Sequence, residues 1–178
     1  MKQLLFIFAF LSMQSICLAQ HEGEERYVPE TNPLVLDKIS QWQDLKFGLL
    51  MHWGAYSQWG IVESWSLCPE EYGWCERTAG SNPNNYNAYV EEYRDLKKTF
   101  NPIKFNPEKW ANAAKNAGMK YVIFTTKHHD GFSMFDSKYT DYKVTDPECA
   151  FSSNPRSNIA LEIFDAFRTK DFWAGAYF

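Results

Sequence analysis

Three short apolar runs, separated by segments of helical periodicity, constrain the fold more than any other feature of this sequence. The runs are residues 46–51, 121–126 and 172–178. Each is short enough for a buried strand, and the middle run begins apolar on both faces, as a strand covered on both sides should be. The succession of strand, helix, strand, helix and strand predicts an α/β fold with a parallel sheet.

The helical segments carry their own start and stop signals. From Asn85 onward, apolar residues recur at helical spacing. Asn106 is suited to cap a second helix, with Pro107 at its first position and Gly118 just after its end. A further helix is predicted over residues 158–168, before the last apolar run.

The N-terminus is predicted to direct export. Lys2 is followed by an apolar run over residues 4–11 and by Cys17-Leu18-Ala19. This pattern is typical of a secretory signal, residues 1–19, cleaved after Ala19, and it predicts a secreted or periplasmic protein. The run is too short to span a membrane. Residues 20–41 are predicted to form a polar N-terminal leader.

Composition narrows the class of partner. The chain has 178 residues and a net charge of −4 with no run of like charges, which argues against nucleic acid. Aromatic residues make up 17% of the chain, and aromatic rings stack on flat apolar ligand faces such as those of sugars. The oligomeric state does not follow from the sequence.

Polar residues follow each predicted strand. His52 comes after the first run, His128 and His129 come after the second, and Tyr177 lies at the end of the third. In barrels of alternating strands and helices, ligand-contacting residues collect at this end of the strands.

A long segment with turn-like composition, residues 55–83, adds Glu63 and Trp65. A carboxylate suits sugar hydroxyls and an indole ring suits the apolar sugar face, so the pair is a candidate carbohydrate-binding element.

The histidines allow three interpretations. His52, His128 and His129 would supply the three protein ligands of a catalytic metal if the second strand bends where it ends. Neutral imidazoles also hydrogen-bond sugar hydroxyls, because each has one donor and one acceptor nitrogen. His128 alone is also compatible with a buried structural role.

The cysteines leave the disulfide question open. Once Cys17 has left with the signal, Cys68, Cys75 and Cys149 remain. They allow one disulfide and a spare thiol, or three free thiols. Cys68 and Cys75 are close in sequence, but nothing in the sequence fixes their geometry.

The order of the motifs resembles glycoside hydrolase family 29, the α-L-fucosidases, from about residue 42 to the last residue. The resemblance is carried by Lys46-Phe47-Gly48 with His52-Trp53-Gly54, Glu63-Ser64-Trp65, Phe100-Asn101-Pro102 with Phe105, and Thr125-Thr126-Lys127-His128-His129-Asp130-Gly131-Phe132. It implies an N-terminal (β/α)8 TIM-like barrel, a C-terminal β-sandwich and a retaining mechanism. It also implies a fucosylated oligosaccharide or glycoconjugate as substrate, with no metal and no organic cofactor.

The resemblance assigns the candidate site residues to substrate binding. The positions that match fucose-binding positions of the family are His52, Glu63, Trp65, His128 and His129, and the family's strand-three tyrosine matches Tyr177, with Phe178 as the competitor. Ser64 departs from the commoner family pattern, in which the glutamate and the tryptophan are adjacent. Asn158 stands where many relatives have an aspartate.

The resemblance places the nucleophilic aspartate and the acid/base carboxylate beyond Phe178, so no catalytic residue is assigned here. Chemistry alone would nominate Glu63 and Asp130. A TIM barrel needs about 250 residues, so residues 42–178 are expected to be the N-terminal portion of a truncated barrel, about three of its β/α units. Alone, the 178 residues are expected to be inactive. The alternatives are a non-catalytic fucose-binding protein and a metal-dependent hydrolase.

Overall fold

The computed structural model describes residues 28–68 and 75–178. The predicted signal and the first part of the predicted leader, residues 20–27, lie outside these residues. The chain divides into two compact units, Met1–Lys38 and Ile39–Phe178. Within the described part of the chain, no helix is long and apolar enough to cross a membrane.

A helix that the sequence analysis did not predict, α1, spans Pro33–Asp44. Its start repeats the Asn-Pro signal seen at residue 106. The Asn32 side chain accepts a hydrogen bond from the Leu34 N–H at 3.0 Å, and Pro33 takes the first helical position. None of its residues is buried. It occupies part of the segment predicted to be a polar leader.

The sheet has three parallel strands in the order β1-β2-β3. They are β1 (Gly48–Met51), β2 (Tyr121–Thr125) and β3 (Trp173–Tyr177). The predicted α/β fold with a parallel sheet is therefore confirmed for the described residues, and each strand is shorter than its apolar run. The lack of a side chain at Gly48 lets the Tyr121 ring of the neighbouring strand β2 pack against the β1 backbone, because a Cβ at position 48 would lie 2.4 Å from that ring.

Three further helices connect the strands: α2 (Tyr86–Thr99), α3 (Pro107–Asn116) and α4 (Ile159–Arg168). All three match predicted helices. Between β1 and α2, the segment predicted as a long loop contains two short 3-10 turns, Ala55–Gln58 and Trp65–Leu67.

Two of the helices begin at asparagine caps. The Asn85 side chain accepts a hydrogen bond from the Ala88 N–H at 3.2 Å, and Asn106 accepts one from the Lys109 N–H at 2.9 Å. The capping role predicted for Asn106 is confirmed. Asn158 precedes α4 but makes no side-chain capping bond.

One face of the sheet packs on helices and the other lies open. Val122 and Phe124 are fully buried in a core that includes Ile163 of α4. Side chains alternate between faces along a strand, so the strand register puts Leu50 and Trp173 on the opposite face, where they are 56% and 37% exposed.

The turn after β2 is tied to α2 through Asp130. The Tyr93 hydroxyl donates to one carboxyl oxygen of Asp130 at 2.7 Å, and the Phe132 N–H donates to the other at 3.0 Å. Burial raises the pKa of the Asp130 carboxyl above its usual range, and these two donors oppose that rise. The turn closes when the Gly131 N–H donates to the His128 carbonyl at 3.0 Å.

Replacing a capping asparagine tests how α3 begins. Asn106→Ala should lower the free energy of unfolding by about 1 kcal/mol, because the Lys109 N–H loses its partner. The matched control is Asn158→Ala, which removes no capping bond and should change stability by less than about 0.5 kcal/mol. Urea unfolding followed by circular dichroism measures both. Equal losses in the two variants would contradict the capping role.

Removing the Tyr93 hydroxyl tests the hydrogen bond that connects α2 to the turn at Asp130. Tyr93→Phe should cost about 1–3 kcal/mol of unfolding free energy near neutral pH, because a buried carboxylate loses a donor. The pKa of Asp130 then rises further. The cost should therefore shrink as the pH falls through that pKa, since a protonated carboxyl needs the donor less. Thermal unfolding at several pH values measures this.

Tyr56→Phe is the control for that experiment. The Tyr56 hydroxyl is buried and has no hydrogen-bond partner among the described residues, so its removal should be close to neutral. A pH-independent loss in Tyr93→Phe would argue against the bond to the Asp130 carboxylate.

Candidate functional site

The structure brings the six predicted site residues together where the parallel strands end. We call this group the strand-end cluster: His52, Glu63, Trp65, His128, His129 and Tyr177. His52 follows β1, His128 and His129 follow β2, and Tyr177 is the last residue of β3. Their role as substrate ligands stays a prediction.

His128 lies at the centre of the cluster. Its side chain is 1% exposed. Ring centroids of His129, Trp65, His52 and Tyr177 lie 4.7, 5.4, 5.8 and 6.4 Å from the His128 ring centroid. This packing fixes the imidazole from several sides.

The two nitrogens of His128 face different partners. Nδ1 is hydrogen-bonded to the Ser64 hydroxyl, and Nε2 lies 3.0 Å from a carboxylate oxygen of Glu63. Burial lowers the pKa of His128, and the Glu63 charge only partly opposes this effect. The imidazole is therefore held neutral near neutral pH. Because a carboxylate only accepts, the tautomer with its proton on Nε2 suits both neighbours.

Glu63 lies between the two histidines that follow β1 and β2. One of its carboxylate oxygens is 3.6 Å from His52 Nε2, and the other is the oxygen near His128. Its backbone has φ of +51°, in the left-handed region that residues other than glycine rarely adopt. A residue with a strained backbone thus provides the carboxylate of the cluster.

Ser64 is a site residue whose role the sequence analysis missed. It is 2% exposed, and its hydroxyl bonds to His128. The sequence marked it only as an extra residue between Glu63 and Trp65. An inserted residue in a motif does not indicate where its side chain points. The contact of Ser64 with His128 could therefore not be predicted from the sequence.

Trp65 and Tyr177 are the aromatic members of the cluster. Trp65 packs beside His129, with ring centroids 5.0 Å apart, and His129 is solvent-exposed. The Tyr177 ring lies 5.4 Å from His52. The competing residue, Phe178, instead lies beneath the ammonium group of Lys127, at 3.7 Å. Tyr177 is thus the residue that contacts the cluster histidines.

A hollow of about 350 Å³ opens beside the cluster, lined by Lys127, His128, His129, Gly131, Tyr177 and Phe178. A larger groove of about 650 Å³ runs between β1 and α3 and is almost wholly apolar, with Leu49, Met51 and Trp110 among its lining residues. Converging polar groups distinguish the smaller hollow as the candidate ligand site.

The same cluster contains a group able to hold a divalent cation. His52, Glu63 and His128 each offer a ligand atom, and these atoms lie within 4.8 Å of one another. The sequence analysis considered His52, His128 and His129 as metal ligands. Among the residues described, the group whose ligand atoms lie close together contains Glu63 in place of His129.

A family model described as Alpha-L-fucosidase matches residues 14–178. Tissue alpha-L-fucosidase of Homo sapiens is 33% identical over 184 residues, which cover 98% of this chain and 36% of the relative. Tissue alpha-L-fucosidase of Bos taurus is 34% identical over 161 residues, which cover 85% of this chain and 31% of the relative. The chain thus spans about a third of the length of these curated relatives.

Solved structures agree with the sequence relatives. Alpha-L-fucosidase isoenzyme 1 from Paenibacillus thiaminolyticus is 36% identical with a TM-score of 0.58, covering 79% of this chain and 28% of its own. An unliganded alpha-L-fucosidase from Lactobacillus casei is 32% identical with a TM-score of 0.60. The match covers 79% of this chain and 39% of the Lactobacillus casei chain. The resemblance of the motifs is therefore confirmed, and the chain belongs to the α-L-fucosidase family.

Proposed function

We propose that this chain forms the first part of the catalytic barrel of a retaining α-L-fucosidase and supplies the fucose-binding side of its active site. The observation that carries the proposal is the convergence of His52, Glu63, His128 and Tyr177 at the carboxyl ends of three parallel strands. In TIM-barrel enzymes, this end of the strands holds the active site.

The open face of the sheet supports the proposal that the chain is part of a barrel. All-parallel sheets occur almost only with both faces covered, whereas Leu50 and Trp173 are exposed on the face opposite the helices. In a (β/α)8 barrel this face lies inside, filled by side chains from the other strands. Residues 42–178 would then be the N-terminal portion of the barrel. The signal peptide, residues 1–19, and export to a secreted or periplasmic location stay predictions.

The chemistry of the cluster suits a sugar. The Glu63 carboxylate accepts hydrogen bonds from hydroxyls, and the ring nitrogens of His52 and His129 offer further hydrogen-bonding groups. Trp65 and Tyr177 offer ring faces for the apolar side of a sugar such as L-fucose. A Lactobacillus casei alpha-L-fucosidase in complex with alpha-L-fucose product, 30% identical with a TM-score of 0.59, supports the same ligand class.

Retaining hydrolysis needs two carboxyl groups about 5 Å apart, one nucleophilic and one acid/base. Glu63 contacts two histidines, while the Asp130 carboxyl faces Tyr93 and the Phe132 N–H. Their partners therefore argue against these two as the catalytic pair. We expect both catalytic carboxylates to lie beyond Phe178. A fucosidase from Bacteroides thetaiotaomicron, 26% identical, forms a trapped covalent intermediate, which supports the retaining mechanism.

The proposal is tested with protein expressed from the whole reading frame of the gene. We expect it to hydrolyse an aryl α-L-fucoside, and we expect EDTA to leave the rate unchanged. The isolated 178 residues should be inactive. Fucose binding without hydrolysis would favour the non-catalytic alternative. Loss of activity in EDTA with recovery on adding zinc would favour a hydrolase that uses His52, Glu63 and His128 as ligands.

Two substitutions in the same protein test the sugar contacts. Glu63→Gln and His129→Ala should each lower kcat/KM about 10- to 100-fold, because hydrogen bonds to sugar hydroxyls in the transition state are lost. Steady-state kinetics with the aryl fucoside measure the change. Glu91→Gln, at an exposed position on α2, is the control and should leave kcat/KM unchanged. An unaltered kcat/KM in His129→Ala would refute the role given to that histidine.

A further inference from the structure

Two cysteines lie side by side next to the strand-end cluster. Cys68 directly follows the 3-10 turn that carries Trp65, and its thiol lies within hydrogen-bonding distance of the Cys75 thiol. The sequence left the pairing among three cysteines open. Folding brings these two together.

Two hydrogen bonds hold the backbone at Leu67 and Cys68 in place. The Tyr86 hydroxyl donates to the Leu67 carbonyl at 2.9 Å, and the Arg77 guanidinium donates to the Cys68 carbonyl at 3.3 Å. The same guanidinium lies over the Tyr86 ring, 4.9 Å from its centroid. Arg77, two residues after Cys75, therefore links the Cys68 backbone to the start of α2 and holds the two ends of this segment near each other.

The two thiols differ in exposure. Cys75 is buried, whereas Cys68 is half-buried. Burial and the neighbouring thiol raise the pKa of Cys75 to about 11, which disfavours its reactive thiolate. An oxidant therefore meets Cys68 first. Cys149 is 1% exposed and its sulfur contacts the Phe100 carbonyl at 3.7 Å, so it is shielded from the pair.

We propose that Cys68 and Cys75 form a disulfide bond by exchange with a small disulfide such as oxidised glutathione. The Cys68 thiolate attacks one glutathione sulfur, which forms a mixed disulfide and releases one glutathione thiolate. The Cys75 thiolate then attacks the Cys68 sulfur and expels the second glutathione. The two cysteine sulfurs are oxidised by two electrons, glutathione disulfide is reduced to two thiols, and the two cysteine protons pass to the released thiolates.

The bond closes a short loop and restrains the turn that carries Trp65 from its C-terminal side. Cross-links stabilise mainly by restricting the unfolded chain. The inference does not depend on fucosidase activity, since it concerns thiol chemistry and stability.

Peptide mapping of the protein from the whole reading frame tests the bond directly. The protein is equilibrated with oxidised or reduced glutathione, then denatured, alkylated and cleaved after glutamate. Cleavage after Glu63, Glu70, Glu71 and Glu76 puts the two cysteines on separate peptides, residues 64–70 and 72–76. Mass spectrometry should find these peptides joined in the oxidised sample and separately alkylated after reduction.

Matched variants complete the test. Cys149→Ser should keep the joined peptides, and Cys68→Ser should lose them. Oxidation should raise Tm by about 2–4 °C in the unsubstituted protein and not in Cys68→Ser. The proposal is overturned if both peptides are alkylated separately after oxidation, if each carries only glutathione, or if either cysteine is joined to Cys149 or Cys17. The map of the unsubstituted protein decides even if a variant fails to fold.

Discussion

The candidate site depends on one buried imidazole. His128 has the Ser64 hydroxyl on one nitrogen and the Glu63 carboxylate near the other, with almost no exposure to solvent. A buried polar group that loses a partner costs about 1–3 kcal/mol, so His128 and the loop that contacts it hold each other in place. This single side chain fixes the positions of residues from two separate segments, and it does so in the neutral state that burial enforces.

The position of His128 depends in turn on where β2 ends. The strand leaves the sheet after Thr125, and the next turn is held to α2 by the bond between Asp130 and Tyr93. That helix also anchors the second 3-10 turn through the Tyr86 hydroxyl. Helix α2 therefore supports both segments that meet at the site, although none of its residues belongs to the strand-end cluster.

Local signals predicted most of the fold, and contacts distant in sequence account for what they missed. Apolar runs and the Asn106 cap indicated the strands and α3 correctly, because periodicity and capping act within a few residues. The same Asn-Pro signal occurs at Asn32, but the polar character of the surrounding segment predicted a leader and not the helix α1. His52, His128, His129 and Tyr177 were predicted from their positions at the ends of the strands, and Glu63 and Trp65 from their residue types in the long loop. The inward bond of Ser64 to His128 arises only when separate segments meet.

The left-handed backbone at Glu63 has a consequence for how this position can change. Glycine would adopt that conformation without strain, yet it would leave His52 and His128 without the carboxylate between them. The residue that best relaxes the backbone is thus not the one that completes the cluster. Backbone stability and the proposed ligand recognition therefore favour different residues at this position, and a substitution that stabilises the backbone here would remove the carboxylate from the cluster.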